Sequence, residues 1–96
     1  MDEHLDLITL IIPTGIFFGC SIMPYGIYIS KNESVNVLYI NIRDNYLYEY
    51  GNASFNLRAV NIEHKEYVYM DPEKKISDYF DNNPRGISIH ILVEAV

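Results

Sequence analysis

Cys20 is the only cysteine in the chain, so no disulfide can form within it, and a reducing, cytoplasmic setting is the expectation. Tryptophan is absent, and Lys and Arg together number 7 against 13 acids, for a formal net charge of −6. The few cations are scattered without a basic block or stripe. Phosphate contacts need clustered cations, so nucleic acid is not an expected partner, and attachment to anionic lipid is disfavoured for the same reason. There is no glycine loop of the phosphate-cradling kind and no Cys/His spacing of a metal site, so no cofactor and no metal are expected. Internal repeats and low-complexity tracts are lacking as well. Glu94-Ala95-Val96 lacks the Gly-Gly of a conjugated modifier.

What remains is enough for one folded domain over residues 1–96, with 49% hydrophobic and 21% charged residues. The stretch that organises it runs from Leu7 to Ile29 without a charge. Its length admits a membrane span. Pro13, Gly15, Gly19, Pro24 and Gly26 would break a continuous helix repeatedly, and no Lys or Arg precedes the run, so it reads instead as two β-strands joined by a turn at Pro13-Thr14-Gly15.

The first strand, about Leu7 to Ile12, is apolar on both faces, which marks a central strand. The second is expected over Ile16 to Met23, with Ile16, Phe18, Cys20 and Ile22 on one face and Phe17, Gly19, Ser21 and Met23 on the other, ended by Pro24-Tyr25-Gly26. Ser30 to Glu33 has the capping-box pattern, and Val35, Leu38, Tyr39, Ile42 and Tyr46 behind it recur on one helical face. The β-branched content of the segment also fits a strand; helix over roughly 31–44 is favoured. Tyr46 to Tyr50 fits a short strand or an aromatic loop. Ser54 to Ile62 and Glu66 to Met70 form a hairpin around Glu63-His64-Lys65, with Phe55, Leu57 and Ala59 inward. Asp71-Pro72 opens a short helix, and Ile87 to Val93 is the final strand.

Hairpin, helix, hairpin, short helix and strand is the order of an α+β, β-grasp (ubiquitin-like) roll with a mixed sheet. If the helix covers Ile8, Leu10, Ile12, Phe18 and Ile22, the opposite face gathers Leu7, Ile11, Phe17, Met23, Val60 and Leu92, rimmed by Arg58 and His90. A contiguous apolar set of this size marks a partner-binding surface, unless the N-terminus or the Tyr46 to Tyr50 segment folds over it.

No catalytic constellation competes with that reading. Cys20 shares a strand face with apolar residues, the pattern of an inert buried thiol, and His4, His64 and His90 are far apart. Asp71, Glu73, Asp78 and Asp81 lack the spacing of a calcium loop. The chain is expected to be a non-enzymatic protein-interaction module. The alternative is a small acidic inhibitor or virulence-type protein that occludes a surface of its target.

Three stretches carry a family likeness. Ile11-Ile12-Pro13-Thr14-Gly15-Ile16, Ser54-Phe55-Asn56-Leu57-Arg58-Ala59-Val60-Asn61 and Asp71-Pro72-Glu73-Lys74-Lys75-Ile76-Ser77-Asp78 resemble motifs of the adaptor-binding domain of class I phosphoinositide 3-kinase catalytic subunits. Phe55-x-Leu57 and Tyr67-Val68-Tyr69-Met70-Asp71-Pro72 are also similar to the ubiquitin-like first lobe of FERM domains. The Trp and basic pattern of the kinase family's helix are lacking in Val35 to Asp44. The resemblance implies a signalling module that docks on the coiled coil of a regulatory subunit, and it transfers no contact residue.

Overall fold

The computed structural model describes residues 3–19, 23–51, 53–61, 66–80 and 89–96. Five strands, β1 (His4–Ile11), β2 (Tyr25–Ser30), β3 (Phe55–Asn61), β4 (Glu66–Tyr69) and β5 (Ile91–Ala95), form one mixed sheet in the order β2-β1-β5-β3-β4. Among the described residues one α-helix, α1 (Val35–Tyr46), packs on one face of it. The architecture is the α+β, β-grasp-like roll read from the element order. The last strand lies parallel to the first, from Thr9↔Ile91 to Ile11↔Val93, and antiparallel to β3.

The helix forms where the 3.6-residue pattern placed it, shifted a few residues along the chain. Val35, Leu38 and Ile42 are buried, and Tyr39 and Tyr46 are partly so. Tyr39 stacks on Phe55 with ring centroids 3.9 Å apart, and Tyr46 meets Tyr25 at 4.2 Å. The N-cap is Ser34, whose hydroxyl accepts from Val37 N–H at 3.3 Å, and not Ser30. The expected Ser30–Glu33 capping box does not form, because Ser30 is still in β2, opposite His4, with Lys31 N–H donating to Glu3 C=O at 2.9 Å. Two more amides of the first turn, which a helix leaves without internal partners, donate outward: Val35 to Lys74 C=O at 2.8 Å and Asn36 to Pro72 C=O at 3.1 Å.

Those two bonds also explain why Asp71-Pro72 does not start a helix. Carbonyls needed for a helical ladder are committed to α1. The segment instead makes an Asx turn, with Asp71 Oδ1 accepting from Glu73 N–H at 2.9 Å, and a single 3-10 turn, Ile76–Asp78. Tyr48–Tyr50 is likewise a 3-10 turn.

The second strand is the larger correction. Residues 16–19 are no strand: Gly15–Phe17 is a 3-10 turn with Gly15 at φ 57, and Gly19 stands at φ 86. A left-handed conformation every few residues defeats a pleat, and glycine is the residue that permits it. β2 lies beyond, where Tyr25, Ile27 and Ile29 alternate with Gly26, Tyr28 and Ser30; Pro24-Tyr25-Gly26 opens the strand rather than ending it. β3, β4 and their register, Arg58↔Tyr69 to Asn61↔Glu66, follow the expected hairpin. The expected positions of Cys20 and Ile22, the turn at 63–65, and Ile87 lie outside the described residues. Among the described residues no helix is long and apolar enough to cross a membrane.

Candidate protein-interaction surface

The inward and outward faces of β1 are exchanged relative to the sequence expectation. Leu5, Leu7, Thr9 and Ile11 are buried under α1, while Ile8 and Leu10 are only half-buried on the other side. The buried Thr9 keeps its hydroxyl bonded to Leu7 C=O at 3.4 Å. Leu7 and Ile11 are therefore core, not partner-binding residues. Phe17 is core as well, fully buried, its ring edge-on to Tyr50 at 5.2 Å and to Phe55 at 6.2 Å. The neighbours expected in the core, Ile16 and Phe18, are exposed, Phe18 at 85%.

The remaining members of the expected set fare differently. Met23, 69% exposed, stands in the loop before β2 and not on the sheet. Val60 and Leu92 do face outward and are half-buried. Arg58 lies beside Leu92 across the β3–β5 ladder, and its Nε donates to Glu94 Oε1, so the rim cation is already paired. His90 is not a solvent-facing contact: it is 4% exposed, and its Nδ1 accepts from Ile8 N–H at 2.9 Å. Burial pushes the His90 imidazole below the ordinary histidine pKa.

The open face is a set of cross-strand rows. Leu10, Leu92, Arg58 and Tyr69 make one row through successive register pairs, and Ile8, Val60 and Tyr67 lie along the next. Tyr67 is 62% exposed, Tyr69 is exposed too, and Tyr28 closes the β2 edge, stacked on His4 at 4.8 Å. Ile8, Leu10, Tyr28, Tyr67 and Tyr69 are the members that reading the strands from sequence missed. The signal was present one turn of the pleat earlier. His4 and Asp6 share the parity of Ile8 and Leu10, and a strand started at Leu7 drops the two polar residues that tell which side is wet.

At the opposite side of the molecule the aromatic cluster is structural. Arg43 lies over the rings of Tyr39 and Phe55, 5.0 and 5.7 Å from their centroids, and donates from Nη2 to Tyr39 Oη at 2.9 Å and Ala53 C=O at 2.8 Å. This clamps the chain after α1 to the start of β3. Among the described residues no group of three or more His, Cys, Asp or Glu side chains is placed to hold a metal ion. Cys20 lies outside the described residues. No protein-family model and no curated protein matches this chain.

Proposed function

We propose that the protein is a non-enzymatic interaction module that receives a protein partner on the open sheet face. The observation that carries this is one continuous surface in which Ile8, Leu10, Val60 and Leu92 sit between tyrosines at both edges, on the side of the sheet away from α1. Tyrosines around an aliphatic centre suit a site that is wet when free and dry when bound: each brings a large apolar area and a hydroxyl that tolerates water. An amphipathic helix or coiled coil is the partner of matching shape, since its apolar stripe can lie along the shallow trough of a twisted sheet. The resemblance to adaptor-binding domains supports the same choice, a signalling role and a cytoplasmic setting, the last also favoured by the single cysteine.

The test is calorimetric titration with a purified regulatory-subunit coiled coil, at low and high salt, for the wild-type chain, Leu92→Asp and Val37→Asp. Binding that tolerates salt, carries a negative heat-capacity change and is lost in Leu92→Asp but kept in Val37→Asp, on the solvent side of α1, supports the reading. Binding that survives Leu92→Asp overturns the surface. Steep weakening by salt favours the other reading, an acidic inhibitor acting through its net charge of −6.

A further inference from the structure

Strand β5 begins at Ile91, yet the ladder to β1 is carried one residue further by His90. Its backbone N–H donates to Ile8 C=O at 2.8 Å, while its Nδ1 accepts from the N–H of the same Ile8 at 2.9 Å. On the other side its carbonyl accepts from Val60 N–H at 2.8 Å. One residue thus joins β1, β5 and β3 at the end of the sheet's central seam. The imidazole stands where a strand carbonyl would accept, and this sets a chemical condition: Nδ1 must hold a lone pair, so the neutral ring carries its proton on Nε2. Among the described residues, Nε2 is buried without a hydrogen-bond partner.

We propose that His90 is an acid-sensitive latch on this seam: a proton on Nδ1 sets N–H against N–H at Ile8 and releases the start of the β1–β5 pairing, and with it the alignment of Ile8 and Leu92 on the open face. The seam is short, from Thr9↔Ile91 to Ile11↔Val93, so one lost end is a large part of it. Of the groups facing the ring's side of the sheet, β1 presents His4 and Asp6, β3 presents Arg58 in its pair with Glu94 of β5, and β4 presents Tyr67 and Tyr69. Opposite Ile8, β2 presents Gly26. No described carboxylate is bonded to the imidazole to hold a second proton there.

The direction of the effect follows from the lowered folded-state pKa. The neutral ring contributes stability that is fully present above about pH 6.5, the unfolded-state value, and is lost as pH falls through the lower folded-state value. The experiment is NMR on the intact chain and on His90→Asn, whose Oδ1 replaces Nδ1 as acceptor and does not titrate. The nitrogen couplings of the wild-type imidazole at neutral pH report the tautomer. Exchange of the Ile8 amide and the thermal midpoint are followed from about pH 7.5 to about pH 5.

The wild type is expected to show the Nε2–H tautomer and to lose Ile8 protection on acidification, by roughly tenfold for each unit by which folding depresses the pKa. His90→Asn is expected to keep protection at both ends of the range. A proton on Nδ1 at neutral pH overturns the proposal, and so does an acid response of His90→Asn equal to that of wild type. Should His90→Asn not fold, the wild-type tautomer and the titration of the Ile8 amide decide alone. Neither readout involves a partner, so the result is independent of the docking surface.

Discussion

The two faces of this sheet are made by the same five strands and carry different chemistry. Beneath α1 the side chains of Leu5, Leu7, Ile11, Leu57, Ile91 and Val93 are aliphatic and closed from water. On the other side aliphatics occupy only the middle, Arg58 pairs with Glu94 across it, and tyrosines hold the edges. A face covered by its own chain can be purely hydrocarbon, whereas a face left open needs polar atoms within reach of water. The difference teaches that apolar content alone does not say which side of a central strand is the core. The residues that decide are the few polar ones sharing its parity.

Paired substitutions break or sharpen that contrast. The largest effect belongs to Leu7→Asp, which puts an unpaired carboxylate under α1 and is expected to cost several kcal/mol and unfold the domain, as read by circular dichroism in urea. Leu10→Asp, of similar chemistry on the open face, is expected to leave a folded domain with a clearly smaller loss. Phe17→Ala separates core from loop surface: about 3–5 kcal/mol is expected, because the ring fills the space between Tyr50 and Phe55, while Phe18→Ala next to it should change stability little. Removing the α1 cap with Ser34→Ala should cost about 1 kcal/mol, limited because the Val35 and Asn36 amides keep their bonds to Lys74 and Pro72. The smallest effect is Glu94→Gln, which breaks a partly exposed ion pair and should cost about 0–1 kcal/mol, diminishing with salt.

The fold was legible in the sequence where one period dominates. Val35, Leu38 and Ile42 read as a helix face, and Phe55, Leu57 and Ala59 as an inward strand face, because each has polar neighbours that fix the phase. The charge-free stretch was legible only in part. It contains most of β1 and β2, which pair antiparallel, but β2 lies beyond the expected Ile16 to Met23, because every residue between the two strands is apolar or small. The pattern is silent on where the pleat stops, and the answer lies in the positive φ of Gly15 and Gly19. The site suffered from the same silence. Val60 and Leu92 were placed correctly because Arg58 and Glu94 mark their side; Leu7 and Ile11 were not, because the marker, Asp6, lies before the apolar run. His90 was seen as an outward residue, and nothing in its neighbours announced that its ring would accept from a backbone amide two strands' width from β3.

The claim that most depends on experiment is that the side of the sheet away from α1 is open to solvent while the Leu7 side is sealed. A soluble paramagnetic agent, added to the chain with methyl-labelled Ile and Leu and labelled Tyr, measures this directly as relaxation enhancement. Strong enhancement at Tyr67, Tyr69 and Tyr28, intermediate values at Ile8, Leu10 and Leu92, and almost none at Leu7, Ile11 and Ile91 is the expected result. Equal protection of the Leu10 and Leu7 methyls, with quiet tyrosines, would mean that the open face is covered by the chain itself and would contradict the account.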